Sequence, residues 1–233
     1  DIMTNNLANA TTAGYKMESS SSQSFDKVLG IKIRDVSEAY NDHAIGKMSL
    51  GVKIGEVFTD YSQGALRETA GKYDLALSGE GFFAVRYVDK NGNESTKYTR
   101  DGNFRLTKDG HVTDVYGNQL RTESGVLQVP LDSEDISIGV DGTVIDKVKV
   151  VDFENYDYIE KFGDNLYQTV AGATEKESEA QVLQGYIEQS NVNSVREMVN
   201  LITITRAYEA GQKMIQSSDS IMDSAVNSVG RVS

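Results

Sequence analysis

The chain ends on the stretch that decides its fold, SVREMVNLITITRAYEAGQKMIQSSDSIMDSAVNSVGRVS, which runs from Ser194 to Ser233. Apolar or small residues recur along it in steps of three and four, the pattern of a helix that packs along one side. No proline interrupts the run, so we predict one continuous helix of about 54 Å at about 1.5 Å per residue. The residues that form this C-terminal stripe are Leu201, Ile204, Tyr208, Gly211, Ile215, Ser218, Met222, Ala225 and Val229.

The first turns of this helix carry a second apolar row and a capping signal. Val195, Met198 and Ile202 widen the apolar surface before the stripe becomes narrow and rich in serine. Ser194 and Glu197 have the spacing of a capping box, in which the serine accepts a backbone N–H and the glutamate reaches back. We therefore expect Ser194 to cap the helix and the stripe to require a partner in a coiled coil.

The composition limits the possible partners. The chain has 233 residues and a net charge of −12, and an acidic surface repels nucleic acid and anionic membranes. It contains no cysteine for disulfides or thiolate chemistry. It also lacks the apolar run of about 18 residues that a membrane-spanning helix needs. We therefore expect no nucleic-acid partner, no membrane insertion and no small-molecule substrate.

Residues 1–18 predict the end of a helix that began upstream, because the chain starts at Asp1 rather than at a methionine. Asparagine, threonine and glycine then end the helix, since they compete for backbone hydrogen bonds or permit positive φ. A disordered terminus is the alternative. Residues 19–51 start with serines and follow neither the helical nor the strand period, which indicates a long extended excursion.

Residues 52–171 carry the pattern of an antiparallel β domain. Short apolar runs such as 82–88 alternate with turn signals, which predicts a meander or a barrel-like domain. A polar linker and a return strand follow over 172–193, before the C-terminal helix of 194–233. The fold class is α+β, a mainly β middle domain flanked by terminal coiled-coil helices. The turn signals are Asn91-Gly92, Asp101-Gly102, Asp109-Gly110, Tyr116-Gly117-Asn118 and Asp141-Gly142.

Patterns for catalysis or metal binding are weak. His111 follows a turn, where an exposed strand residue is the expected identity. The stretch 89–94 begins like a calcium loop, but Glu94 stands where that loop needs glycine. Asp132 and Asp135 could serve a β-rich hydrolase as a carboxylate pair, although the surrounding residues favour a turn. We therefore expect no enzymatic activity, no cofactor and no metal site.

Three stretches of the chain resemble the axial proteins of the bacterial flagellum, the rod and hook proteins. The first is NNLAN at 5–9 with TTAGYK at 11–16, and the second is LSGEGFF at 77–83 with YTRDGNF at 98–104. The third and most specific is QGYIEQSNVN at 184–193, followed by EMVNLI at 197–202 and RAYE at 206–209. The stretches follow the order of the family and together span the chain from end to end.

The resemblance implies a structural subunit of the flagellar basal body. In this family the terminal helices pair in an inner tube and the β domain lies outside it. The subunit would assemble into a hollow helical tube that transmits torque from the motor to the hook. Its partners would be copies of itself and neighbouring rod or hook subunits, after export from the cytoplasm. A single middle domain resembles that of the distal rod protein or of its close rod paralogue.

The resemblance also implies which residues serve assembly. Two alternatives stay open beside the rod subunit and the hydrolase, namely a hook-type axial subunit and a secreted adhesin or carbohydrate-binding module with a coiled-coil stalk. The expected assembly residues are those of the C-terminal stripe, the second row of Val195, Met198 and Ile202, and the N-terminal Asn5, Asn6, Leu7, Asn9, Gly14 and Tyr15.

Overall fold

The structure is a computed structural model that describes residues 1–24, 28–31, 44–48, 52–130, 138–139, 141–143, 147–163 and 165–229. The chain forms two compact units. The larger unit comprises Asp1, Met3–Met17 and Tyr61–Ser233, and the smaller unit comprises Ile2 and Glu18–Asp60.

Most of the regular structure in the described residues is β. The helices are α1 (Ile2–Ala8) and α2 (Ser194–Val229), and a 3-10 turn spans Tyr156–Tyr158. The strands in chain order are β1 (Glu18–Ser24), β2 (Val28–Ile31), β3 (Ala44–Met48), β4 (Val52–Thr59), β5 (Leu66–Glu68), β6 (Leu75–Ser78), β7 (Phe82–Val88), β8 (Glu94–Thr99), β9 (Arg105–Leu106), β10 (Val112–Thr113), β11 (Gln119–Leu120), β12 (Val150–Phe153), β13 (Ile159–Phe162), β14 (Leu166–Thr169), β15 (Glu175–Glu177), β16 (Gln181–Gln184) and β17 (Tyr186–Glu188).

The larger unit is built around β7, the central strand of an antiparallel sheet. β8 pairs with one edge of β7, whereas β11 and β12 share the other edge. The path through the sheet is β13-β14-β8-β7-β11-β10-β9, and β12 also pairs with β15. Within the described residues the sheet does not close on itself. The antiparallel β prediction is therefore confirmed, and its barrel-like variant is wrong.

The core has two layers because β7 buries side chains on both of its faces. Phe83 and Val85 pack into one cluster with Leu120. Phe82 and Ala84 point the other way, into a second, more aromatic cluster. Burying an aliphatic or phenylalanine side chain stabilises a fold by about 1.5–3 kcal/mol, so this strand anchors the domain.

The turn signals divide into correct and incorrect predictions. Asn91-Gly92, Asp109-Gly110 and Tyr116-Gly117-Asn118 each join two strands that pair as a hairpin. Asp141-Gly142 makes a turn in which the Gly142 N–H donates to Gly139 O at 2.8 Å. Asp101-Gly102 is no hairpin tip. A Cβ at Gly102 would stand 1.5 Å from Leu75 O, so the glycine permits two backbones to approach each other.

The predicted linker is partly strand. β15 pairs with β12 from Val151↔Glu177 to Phe153↔Glu175, although 172–180 looked like a polar connector. Its Glu-Lys-Glu sequence is exposed at a sheet edge, where charges prevent pairing with other chains and hide the strand pattern. β16 then pairs with β6 and β17 pairs with β5, which brings the chain back to the start of α2.

The smaller unit contains two antiparallel strand pairs. β1 pairs with β4 from Glu18↔Thr59 to Ser24↔Val52, and β2 pairs with β3. β4 belongs to the smaller unit, although the predicted β domain starts at residue 52. The serine-rich β1 has weak strand propensity, so its pairing with β4 could not be recognised from local sequence.

The C-terminal helix is confirmed as one unbroken element. α2 spans 36 residues, and every residue from Leu201 to Asn227 is exposed. No second helix within the described residues covers the C-terminal stripe, so the coiled coil stays a prediction. Among the helices of the described residues, none combines the length and the apolar character needed to cross a membrane.

Candidate assembly surface and its anchoring junction

The first turn of α2 is capped one residue earlier than predicted. Oδ1 of Asn193 accepts the backbone N–H of Arg196 at 3.0 Å, so Asn193 rather than Ser194 is the N-cap. The carboxylate of Glu197 accepts instead from Nδ2 of Asn6 and Nδ2 of Asn200, both at 3.4 Å. Glu197 therefore ties α2 to α1 and closes no capping box.

A buried group of three charges fixes the strand that leads into α2. Glu188, at the end of β17, is completely buried. Its Oε1 lies 2.6 Å from Nζ of Lys16, and its Oε2 lies 3.0 Å from Nη1 of Arg100. The backbone N–H of Gly64 donates to Oε1 as well, at 2.8 Å. One carboxylate thus connects the N-terminal segment, the β domain and the approach to α2.

The two cations of this group have further acceptors. Nζ of Lys16 also donates to Ser62 O at 2.7 Å, and Nη2 of Arg100 donates to Gly79 O at 2.7 Å. Buried charges are tolerated when their hydrogen bonds are made, and removing one partner from such a pair costs about 3–5 kcal/mol. The group therefore specifies one position for the N-terminal segment.

The N-terminal segment fits tightly against the β domain at Gly14. Gly14 has φ +67°, and a Cβ added to it would lie 2.3 Å from the carbonyl carbon of Arg100. Its N–H donates to Glu188 O at 2.8 Å. Only glycine can adopt this φ so close to the Arg100 backbone. Gly14, in the TTAGYK stretch, therefore helps to hold the N-terminal segment against the β domain.

The predicted N-terminal assembly residues divide by burial. Asn6, Gly14 and Tyr15 are buried within the chain, and Tyr15 OH donates to Oδ1 of Asn6 at 3.2 Å. Their surroundings belong to the same chain, and their part in assembly stays a prediction. Asn5, Leu7 and Asn9 are half-buried, and their part in assembly stays a prediction.

A second polar contact joins the N-terminal segment to the domain. Nδ2 of Asn165 donates to Oδ2 of Asp101 at 3.1 Å and to Ala13 O at 3.3 Å. Burial raises the pKa of the Asp101 carboxyl, while hydrogen bonds from Asn103 N–H and from Asn165 oppose the rise. The neutral form of this carboxyl is therefore favoured within the junction.

The predicted helix residues lie on an exposed surface. Tyr208 is 67% exposed, and Ile215 and Met222 are each 65% exposed. Ile204 and Leu201 continue this surface toward the junction. The second row of Val195, Met198 and Ile202 is exposed as well. The small residues of the stripe, Gly211, Ser218 and Ala225, lie between its larger side chains. The side chain of Val229 is outside the described residues.

Several hydroxyl groups on α2 are satisfied by the helix itself. Thr203 and Thr205 donate to Val199 O and Leu201 O, each at 2.8 Å. Ser218 and Ser224 donate to the carbonyls four residues earlier at 3.0 and 2.9 Å. A hydroxyl that already donates within its own helix can enter a dry interface at a lower desolvation penalty.

No group of three or more His, Asp or Glu residues in the described part of the chain is arranged to hold a metal ion. Residues 89–94 form the tip of the β7–β8 hairpin. Asp132 and Asp135, the carboxylates of the hydrolase alternative, lie outside the described residues.

The Glu188 group was missed by sequence reasoning. Lys16, Arg100 and Glu188 all occur in the stretches that carry the resemblance, yet Lys16 and Glu188 are 172 positions apart. A charged residue directly after buried aromatic or aliphatic residues, as in Gly14-Tyr15-Lys16 and Tyr186-Ile187-Glu188, was the available signal. It indicates a buried charge but does not name its partner.

Comparison with known proteins gives matches over the same regions. The family model for the C-terminal region of flagellar basal body rod FlgEFG proteins matches residues 183–228, and the model for the D1 domain of flagellar hook protein FlgE/F/G matches residues 76–145. The first of these regions includes most of α2, and the second includes β7 and β8.

Curated relatives match almost the whole chain. The flagellar basal-body rod protein FlgF of Caulobacter vibrioides is 32% identical over 241 residues, covering 100% of this chain and 92% of the relative. FlgG of Buchnera aphidicola subsp. Schizaphis graminum is 31% identical, covering 95% and 90%. FlgG of Bacillus subtilis is 30% identical, covering 97% and 92%.

These relatives are named as rod proteins, so they give no support to a hook-type subunit, an adhesin or a hydrolase. The identity extends over both termini and the β domain together. The chain therefore belongs to the FlgE/F/G family of flagellar hook and basal-body rod proteins, a family of structural proteins of the flagellum.

Proposed function

We propose that this chain is a structural, non-enzymatic subunit of the flagellar basal-body rod. It joins copies of itself and neighbouring rod or hook subunits through the C-terminal stripe of α2, in a helical tube that transmits torque. The observation that carries the proposal is that every residue of α2 from Leu201 to Asn227 is exposed, with apolar side chains at coiled-coil spacing.

The apolar side chains of α2 favour a protein partner. Large contiguous apolar patches are rare on soluble monomers and mark interaction sites. Covering an isoleucine, tyrosine or methionine of this stripe removes apolar area from water and stabilises the contact by about 25 cal/mol per Å². The three-four spacing favours another helix as the cover, since side chains from two helices then interlock.

The hydroxyl groups of α2 support the same conclusion. Four hydroxyl groups donate to carbonyls of their own helix, those of Thr203, Thr205, Ser218 and Ser224. Packing α2 against a neighbour therefore leaves fewer hydrogen-bond donors without an acceptor. The helix can therefore be enclosed on several sides, as expected for a subunit whose terminal helices lie inside a tube.

The junction supports the proposal by orienting α2. Glu197 contacts α1 and the Glu188 group holds the approach to α2, so the helix leaves the domain at a defined place. A helical assembly repeats one contact between different surfaces of successive subunits, and this repetition requires a fixed orientation of those surfaces. The buried charges supply that orientation within each subunit.

The test is a charged residue in the stripe. We expect Ile215→Asp to prevent incorporation into rods, because the new carboxylate would lose its hydration inside an apolar contact. The matched control is Ser220→Asp, which introduces the same charge about 140° around the helix. Rods are isolated from the source bacterium and the incorporated chain is quantified by immunoblot.

The stability of the purified variants completes the test. Both substitutions lie on exposed residues, so the free energy of unfolding of the β domain should stay within about 0.5 kcal/mol of that of the unsubstituted chain. Normal incorporation of the Ile215→Asp chain would contradict the proposal. Equal loss with Ser220→Asp would show that any added charge is harmful and would remove the support for the stripe.

A further inference from the structure

Methionines are the most easily oxidised side chains of this protein. The sequence has six of them and contains neither cysteine nor tryptophan. A methionine thioether takes up one oxygen atom from peroxide and becomes a sulfoxide. Because the oxidant must reach the sulfur, oxidation of this chain should start at its most exposed methionines.

The exposed methionines lie on α2, among those whose side chains the structure describes. Met214 is 72% exposed, Met222 is 65% exposed and Met198 is 48% exposed. Met3 and Met17, in the N-terminal segment, are half-buried. Peroxide should therefore act on α2 before it acts on the rest of the described chain.

Met222 is the methionine that belongs to the C-terminal stripe. Met214 lies eight positions earlier, which places it about 80° away around the helix. Met198 belongs to the second row, near the start of α2. Of the three sulfurs, only that of Met222 lies on the stripe that the proposed function covers on assembly.

The residues around Met222 offer no hydrogen-bond donor to a sulfoxide. Side chains three and four positions away are its neighbours on the helix surface. Here they are Ser218, Asp219, Ala225 and Val226. The hydroxyl of Ser218 already donates to Met214 O at 3.0 Å, a carboxylate only accepts, and the other two side chains are apolar. A sulfoxide oxygen at Met222 would therefore enter an apolar contact without a donor from its own helix.

The oxidation changes one side chain from apolar to polar. The sulfur of Met222 attacks one oxygen of hydrogen peroxide, so that an S–O bond forms while the O–O bond breaks and water leaves. Sulfur loses two electrons and the peroxide gains them. Methionine sulfoxide reductases reverse the step, with a dithiol as the electron donor that becomes a disulfide while the oxygen leaves as water.

We propose that Met222 is a redox-sensitive modification site on the assembly surface. Peroxide oxidises its sulfur in the unassembled chain, and the sulfoxide keeps that chain out of the rod until it is reduced. Burying a polar group without a hydrogen bond is unfavourable, which is the physical reason for the exclusion. This inference rests on the proposed function, because it requires the stripe to be covered on assembly.

Competition between two chains in one culture tests the proposal. The source bacterium makes the unsubstituted chain together with Met222→Leu, an apolar residue of similar volume that lacks the sulfur. Hydrogen peroxide is added while rods form, and mass spectrometry measures the ratio of the two chains in isolated rods and in the cell. In the matched control the competing chain carries Met214→Leu, at an exposed methionine off the stripe.

Peroxide should shift the ratio in rods toward Met222→Leu and should leave the ratio with Met214→Leu unchanged. No shift, or equal shifts with the two competitors, would overturn the inference and leave the proposed function intact. Absence of the unsubstituted chain from rods of untreated cells would overturn both.

A second readout needs no substitution. In the treated cells, sulfoxide at Met222 should be rarer in rods than in the unassembled chain by about fivefold or more, the factor expected for burying one unsatisfied polar group. Equal sulfoxide fractions in the two pools would contradict the proposal. It would also be overturned if Met222 of the purified chain stayed unoxidised in peroxide while the half-buried Met17 reacted.

Discussion

The β domain and α2 contain the same kinds of apolar residue in opposite surroundings. Phe83 in β7 is completely buried, whereas Tyr208 in α2 is 67% exposed. The β domain therefore obtains its hydrophobic stabilisation from its own chain, and α2 has side chains that neighbouring molecules must cover. Folding and assembly are therefore properties of different regions. Residues of the β domain decide folding, and residues of α2 decide assembly.

The junction connects these two regions. Glu188 is completely buried and pairs with Lys16 and Arg100, so it belongs energetically to the β domain. Its strand leads directly to the first turn of α2. Substitutions at the junction should therefore affect folding first and assembly as a consequence, while substitutions in the stripe should affect assembly alone.

The largest expected effect separates the two regions most clearly. Phe83→Ala should lower the free energy of unfolding by about 3–5 kcal/mol, because it removes a buried aromatic ring and leaves a cavity. Tyr208→Ala should change it by less than about 0.5 kcal/mol, since the ring is exposed. Urea unfolding followed by circular dichroism measures both. Similar losses for the two variants would show that α2 is part of the folded core.

The second largest loss of stability is expected at the junction. Glu188→Gln should lower the free energy of unfolding by about 3 kcal/mol, because Lys16 and Arg100 would keep their buried charges without a carboxylate. Glu154→Gln makes the same change at an exposed residue and should have little effect. Equal unfolding midpoints for the two variants in urea would mean that the buried pairs do not stabilise the junction.

A smaller effect tests the fit of the N-terminal segment. Gly14→Ala should cost about 2 kcal/mol or more, because the added carbon meets the Arg100 backbone and φ is positive. Gly92→Ala has a similar φ of +82° but no atom within 4 Å, so it should cost only about 1 kcal/mol. Thermal unfolding measures the loss of stability in both variants, and the difference between the two losses gives the contribution of the steric clash at Gly14. Equal losses would place Gly14 outside the tight contact.

The smallest effect is the pH dependence of the junction. Burial holds the pKa of Asp101 above its ordinary value, so its stabilising contribution is complete below the ordinary carboxyl pKa. That contribution is lost as the pH rises through the raised pKa, when the buried group ionises. The unsubstituted chain should therefore lose stability relative to Asp101→Asn from about pH 4 upward. A constant difference between their urea midpoints would contradict this assignment.

The sequence predicted the elements whose signals are local. The three-four spacing from Leu201 onward indicated one long helix, and the turns at Asn91-Gly92 and Asp109-Gly110 indicated hairpins, because neighbouring residues alone determine these features. The exposed apolar face of α2 followed from the same spacing. Its partner remains a proposal, because spacing identifies the side that packs but not the molecule that packs on it.

Features that depend on distant residues were not predictable in this way. β4 pairs with the serine-rich β1, and the charged β15 pairs with β12, although neither serines nor charges favour strands. Asn193 caps α2 in place of the predicted Ser194, and Glu197 contacts Asn6 of α1, which is far away in the sequence. The Glu188 group joins residues from opposite ends of the chain, and a single sequence shows which charges exist but not which of them meet.

Hydrogen exchange along the chain, measured on the isolated protein and on rods that contain it, tests most directly whether neighbouring subunits cover α2. We predict that amides of α2 beyond Leu201 exchange quickly in the isolated chain, while those of β7 are slow, because α2 lacks packing that would stabilise its helix. In rods both regions should exchange slowly. Slow exchange of α2 in the dilute isolated chain, or fast exchange of α2 in rods, would contradict the claim that neighbouring subunits cover it.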